Sequence, residues 1–146
     1  MIRRAVIADL PTLVAFNQAM ARETEGISLD PAVLTAGVGV VLEGKRPGHY
    51  WVHEEGGEIL AQLMITFEWS DWRNRDVWWI QSVFVAEKAR RRGLYRSLYA
   101  HVVAEAKKAG AGGIRLYVDS TNRRAQDTYR ELGMNGDHYR VFEQMF

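Results

Sequence analysis

Hydrophobic and polar positions alternate along this chain with two different periods, and the switches between them mark out the elements. Ile2 to Ile7 reads as a short strand. Asp9 then offers a helix cap, with Pro11 in the first turn, and Leu13, Phe16 and Met20 form a helical stripe out to Glu23. Glu23 to Gly26 reads as a loop, and Asp30-Pro31 starts a second helix, Ala32 to Glu43. His49 to Glu54 alternates as a strand. Glu55-Gly56-Gly57-Glu58 is a hairpin turn, and Ile59 to Phe67 is the partner strand. A polar loop with two tryptophans, Glu68 to Asp76, precedes a long apolar strand, Val77 to Val85. Leu94, Leu98, Val102 and Ala106 give the stripe of a helix that runs to Ala109 and stops at Gly110 to Gly113. Ile114 to Val118 reads as a strand, Asn122 to Leu132 as a helix closed by Gly133, and Tyr139 to Phe146 as a terminal strand. Three antiparallel strands followed by strand–turn–helix–strand predict an α/β (α+β) fold, a mixed sheet with helices on both faces. No repeat or linker interrupts the chain, so one domain, 1–146, is expected.

Composition narrows the chemistry. The chain has 146 residues, 47% hydrophobic and 25% charged, which suits a globular domain able to bury a core. Its net charge is +1, so no broad basic face calls for nucleic acid. There is no cysteine, which removes disulfides, thiolate metal sites and a cysteine nucleophile. His49, His53, His101 and His138 lack metal-ligand spacing, so no metal is expected. No apolar run is long enough to span a bilayer, and Asp9 breaks the short apolar start, so a cytoplasmic location is the expectation.

Positive charge is concentrated instead in Arg90-Arg91-Arg92-Gly93-Leu94-Tyr95-Arg96, between a strand and a helix. The first turn of a helix has N–H groups without intrahelical partners, and its dipole favours an anion. Arginine adds bidentate phosphate donors, and Gly93 removes a Cβ beside the ligand. Arginines oppose the same dipole, so their placement costs stability unless an anion offsets them.

The string Val83-Phe84-Val85-Ala86-Glu87-Lys88-Ala89-Arg90-Arg91-Arg92-Gly93-Leu94-Tyr95 resembles the acetyl-CoA site of the GNAT superfamily of N-acetyltransferases. In that family's Arg/Gln-x-x-Gly-x-Gly/Ala pattern Arg90 and Gly93 match, and Tyr95 takes a position where a small residue is usual. Asn122, Ala125, Tyr129 and Gly133 match a second motif, Asn-x-x-Ala-x-x-x-Tyr-x-x-x-Gly-Phe, with Met134 for Phe. Met64 to Val85 is also similar to the diamine acetyltransferase branch, whose strand carboxylates are replaced here by Gln81 and Ser82.

The resemblance implies a sheet of about seven strands with about four helices. It implies acetyl-CoA as co-substrate, held by Val83, Phe84, Val85, Arg90, Arg91, Arg92, Gly93, Leu94, Tyr95, Arg96 and Asn122. The Val83 N–H would polarise the thioester carbonyl, and Tyr129 would be the general acid for the leaving thiolate. The acceptor would be a small primary amine, acetylated directly in a ternary complex. Water or a carboxylate, Glu68 or Asp71, would take the amine proton, and Glu68 as base is weighed evenly against an edge carboxylate paired with Arg73 or Arg75. Acceptor contacts are expected from Glu23, Glu25, Trp69, Asp71 and Gln81, with Trp72, Trp78 and Trp79 as further aromatic walls for a cation. Alternation puts Trp78 and Trp79 on opposite faces, so at least one belongs to the core. A homodimer is compatible with the family pattern. The competing reading is a non-catalytic acyl-CoA-binding regulatory module that kept the turn and lost its base.

Overall fold

The computed structural model describes residues 1–146. Packing divides the chain into two compact units, Met1–Arg115 and Leu116–Phe146.

The first unit is built on five strands in the order β1-β2-β3-β4-β5: β1 (Ile2–Arg4), β2 (His49–Glu55), β3 (Glu58–Ser70), β4 (Arg75–Val85) and β5 (Gly113–Arg115). The first four are antiparallel to their neighbours, and β5 runs parallel to β4. A parallel pair needs a crossover, and α3 (Leu94–Lys108) supplies it. The fold is therefore the expected mixed α/β architecture with fewer strands than anticipated.

Helices cover both faces. Tyr50 and Val52 of β2 point to the face covered by α1 (Leu10–Glu25) and α2 (Pro31–Leu42). There they form a buried cluster with Leu13 and Val38, with Leu10, Val14, Leu34, Ile59 and Met64 packed against it. Trp51 points the opposite way and meets His101 of α3 edge-on, ring centroids 4.6 Å apart. The stripe Leu94, Leu98, Val102 and Ala106 of α3 is buried as its spacing predicts. Leu63 and Ile65, in the centre of β3, are fully buried. Truncating either to Ala would cost about 2–5 kcal/mol.

Local chemistry explains the boundaries. Asp30 caps α2 by accepting the Ala32 and Val33 N–H groups. Asp9 stands at the start of α1 but does not cap it. Its carboxylate accepts the Val6 N–H at 2.8 Å and two bonds from the Arg3 guanidinium, at 2.8 and 3.1 Å. Arg3 also reaches Glu54, so β1, β2 and the entry to α1 share one ionic knot. The β2–β3 hairpin turns on Gly56 and Gly57, both left-handed at φ 57° and 81°, the geometry of a two-residue primed turn.

Several expectations are corrected. Glu23, Thr24 and Glu25 are helical, because α1 continues to Glu25 before Gly26 ends it. Glu68, Trp69, Arg75 and Asp76 belong to strands, since the β3–β4 ladder runs out to Ser70↔Arg75. The strand expected over Ile114 to Val118 is reduced to Gly113–Arg115, its ladder to β4 being three residues long. In the second unit α4 (Arg123–Glu131) forms as expected, whereas Tyr139 to Phe146 makes no strand. No helix is long and apolar enough to cross a membrane.

Candidate active site

The basic turn is a strained connection. After Val85 the Ala86 N–H bonds Leu60 O at 2.9 Å, and a single helical turn, Glu87–Ala89, buries Ala89 completely. Arg90 is extended, and Arg91 and Gly93 are left-handed at φ 63° and 76°. Left-handed backbone in a non-glycine residue costs of order 1–3 kcal/mol and concentrates at functional sites. Gly93 is the N-cap of α3 and provides no side-chain cap, so the first-turn N–H groups gain no partner from it. A Cβ at Gly93 would meet no protein atom within 4 Å. The glycine therefore answers a backbone demand rather than crowding by the protein.

Carboxylates balance the cations of this turn. Arg90 Nη2 donates to both Glu23 oxygens, at 3.0 and 2.7 Å, and its Nε donates to Val85 O at 3.1 Å. The guanidinium lies over the Phe84 ring, 5.6 Å from its centroid, and Phe84 in turn stacks on Phe16 of α1. Arg92 Nη2 reaches both Glu55 oxygens, at 3.0 and 2.7 Å, and this bond holds the Glu55 carboxyl below its ordinary value. Lys88 pairs with Glu58. The predicted conflict between arginines and helix dipole is met by these anions. Tyr95 is half-buried along α3, its ring 6.4 Å from that of Tyr99.

Beside the turn, β4 has an open edge. It pairs with β5 only at Val77↔Gly113, Trp78↔Ile114 and Trp79↔Arg115. On the β3 side the register skips from Ser82 to Ile80, which makes Gln81 an extra, bulged residue. Backbone groups alternate sides along a strand. The Ala86 N–H points to β3, so the Val83 and Val85 N–H groups point to the other edge, beyond the last β5 pair. The bulge and the short β5 thus leave the Val83 and Val85 N–H groups without a strand partner just before the arginine turn.

The α1 side of the sheet carries a polar stripe. Glu68 accepts from Trp79 Nε1 at 2.8 Å and from Arg115 Nη1 at 2.6 Å. The edge-carboxylate alternative therefore has a real partner, Arg115, in place of Arg73 or Arg75. Gln81 Nε2 donates to Thr66 Oγ1 at 2.7 Å. Ser82 Oγ and both polar atoms of the fully buried Gln62 are out of solvent without a hydrogen-bond partner. Trp78 is core, 7% exposed, and Trp79 takes the polar face, as alternation requires. Trp69 and Trp72 are 62% and 92% exposed, and the Asp71 carboxylate accepts the Trp72 N–H in the turn. Glu25 is exposed at the end of α1. The sequence reading missed Arg115, Thr66 and Gln62. Polar residues at core-facing positions of apolar strands were the available signal, and Gln62 within Leu60–Ile65 is the clearest.

In the second unit, Asn122 Oδ1 accepts the Ala125 N–H at 3.1 Å and so caps α4, which explains the Asn-x-x-Ala spacing physically. Tyr129 is half-buried on the same helix, and its carbonyl receives the Met134 N–H at 3.0 Å.

The comparisons agree with this architecture. No curated protein matches the chain. Among solved structures, a possible acetyltransferase from Clostridium difficile 630 is 41% identical, with 100% of this chain and 97% of that one covered and a TM-score of 0.94. A transcriptional regulator from Bacillus halodurans C-125 shares the fold at 21% identity, covering 99% of each chain with a TM-score of 0.83. AAC(6')-Iy, solved with the bisubstrate analog CoA-S-monomethyl-acetylneamine, shares it at 15% identity, covering 100% of this chain and 97% of that one with a TM-score of 0.79. The family model described as Acetyltransferase (GNAT) family matches residues 13–134. With the strand, the arginine turn and the capped α4 all inside that span, the chain belongs to the GNAT acetyltransferase family.

Proposed function

We propose that this protein is an acetyl-CoA-dependent N-acetyltransferase that acetylates a primary amine of a small molecule by direct transfer in a ternary complex. The observation that carries this reading is the continuous path along Ile80 to Arg96. Free edge amides of β4 lead into a left-handed basic turn and an uncapped helix start. Acetyl-CoA fits the chemistry of that donor set: its diphosphate suits the α3 N–H groups and the arginines, and its amide-bearing arm suits the edge of β4. When bound it supplies the acyl thioester. The Val83 N–H would donate to the thioester carbonyl oxygen, and Tyr129 Oη would give its proton to the departing thiolate as the acetyl group passes to the amine.

The acceptor side is assigned to the α1 face of the sheet. Gln81 is the side chain offered there, with Glu23 and Glu25 at the end of α1; Asp71 lies in the β3–β4 turn, and Trp69, next to Glu68 in β3, faces the other side of the sheet. Glu68 serves as a positioned anion rather than the base. Its two oxygens are already held by Trp79 Nε1 and Arg115 Nη1. The amine proton therefore leaves through water. A diamine is the first acceptor to try, given the likeness of Met64 to Val85 to the diamine acetyltransferase branch, although Gln81 and Ser82 replace that branch's carboxylates.

Thiol release from acetyl-CoA across a panel of primary amines, diamines and alcohols tests the proposal. Turnover on at least one amine is expected. Tight acetyl-CoA binding without turnover on any of them would favour the regulatory module instead.

A further inference from the structure

Both arginines that the turn projects toward neighbouring elements already hold a carboxylate. Glu23 stands in the last turn of α1 and accepts both of its bonds from one nitrogen of Arg90, which comes from 67 residues away. It lies two helical turns beyond Phe16, the residue that stacks on Phe84 under the same guanidinium. Arg90 thus fastens the turn to α1. Arg92 fastens the β2–β3 hairpin through Glu55. Beyond Glu23 the chain is held by the α1 C-cap, where the Gly26 N–H bonds Arg22 O at 3.1 Å and the Ile27 N–H bonds Ala21 O at 3.4 Å, and by one side chain. The Gln18 side chain donates to Leu29 O at 2.8 Å and accepts the Leu29 N–H at 3.0 Å, bracketing the exposed segment Gly26 to Ser28.

We propose that Glu23 and Glu55 occupy the arginines as internal anions in the free protein, and that a diphosphate-bearing acyl donor displaces Glu23 from Arg90 and releases the end of α1. The inference rests on the reading of Arg90 to Arg96 as the diphosphate site. The competition favours the ligand. Glu23 and Arg90 are 47% and 41% exposed, so their bond is an easily broken surface pair. A diphosphate carries more charge, and it also meets the N–H groups of α3, which Glu23 does not reach. An acyl donor without a diphosphate leaves Glu23 in place. The state of α1 therefore reports which donor is bound, and the face that α1 covers is rearranged only when that donor is present.

The test uses the full chain, with calorimetric titration of acetyl-CoA into the wild type, Glu23→Gln and Glu25→Gln. Glu25→Gln removes the same charge two residues away and controls for net charge. Removing an exposed competitor is expected to tighten acetyl-CoA binding by about two- to fivefold in Glu23→Gln relative to Glu25→Gln. Amide exchange over residues 22–30 of the wild type is expected to accelerate when acetyl-CoA saturates it. Equal affinities in the two variants, or exchange at the α1 end that is unchanged or slowed, would overturn the displacement and leave the diphosphate site standing. Failure of the wild type to bind acetyl-CoA at all would overturn both.

Discussion

Replacing Gly93 separates two reasons for the presence of a glycine. The backbone there is left-handed at φ 76°, and a Cβ would meet no protein atom within 4 Å. Ala at this position thus carries a conformational penalty and no steric one, about 1–2 kcal/mol for an L-residue in that region. Asn, whose short polar side chain tolerates left-handed backbone, is expected to lose less than about 1 kcal/mol. Urea unfolding of the wild type, Gly93→Ala and Gly93→Asn measures this directly. Unchanged slopes with midpoints in the order wild type, Asn, Ala are the expected result. A loss above about 3 kcal/mol in Gly93→Ala, or an Asn variant as unstable as the Ala variant, would refute the conformational account. The second reason is close approach of a diphosphate to the backbone. Gly93→Asn should therefore fold well and still bind acetyl-CoA at least tenfold more weakly, since its side chain projects from the turn. Wild-type affinity in a well-folded Asn variant would leave the backbone demand as the only role of the glycine.

Three further outcomes follow from the geometry. Tyr129→Phe is expected to lower kcat by about a hundredfold or more with acetyl-CoA affinity unchanged, and steady-state kinetics with calorimetry will read both. Glu68→Gln is expected to cost less than about tenfold in kcat and to keep the wild-type pH–rate profile, because a positioned anion is not the proton acceptor; loss of one limb of that profile would restore it as the base. Arg3 bonding holds the Asp9 carboxyl below its ordinary value, so its stabilisation is present above the unfolded aspartate value of about 3.9 and is lost as pH falls through the lower folded value. Asp9→Asn should accordingly be about 2 kcal/mol less stable than wild type at pH 7, with the gap closing as urea titrations are taken below pH 4.

The periodicity of single segments made most of the fold legible, and pairing decided the rest. The stripe of α3 and the cap at Asp30 depend on residues within a few positions, and they form as their spacing predicts. Glu68, Trp69, Arg75 and Asp76 look like loop because they are polar or aromatic without alternation, yet the antiparallel ladder carries them as strand to a tight turn at Asp71–Asn74. Tyr139 to Phe146 shows the opposite failure. Its strand-like composition yields no strand, since β propensity expresses packing on a neighbour rather than a backbone preference. In the basic turn, Arg90 and Gly93 stand out from a short motif. The bonds of Arg90 to Glu23, of Arg92 to Glu55 and of Arg115 to Glu68 do not, because each joins residues 37 or more positions apart. The left-handed Arg91 carries no local signal either, as arginine has no preference for that conformation.

The central claim is that the turn after β4 is a diphosphate site. Calorimetric titration of acetyl-CoA into the wild type and into an Arg90→Ala/Arg92→Ala double variant, at low and at physiological salt, tests it most directly. The account predicts saturable one-to-one binding by the wild type that weakens with salt, and at least tenfold weaker binding by a double variant that unfolds in urea like the wild type. Equal affinity in the two proteins, or no heat of binding in the wild type, would contradict it.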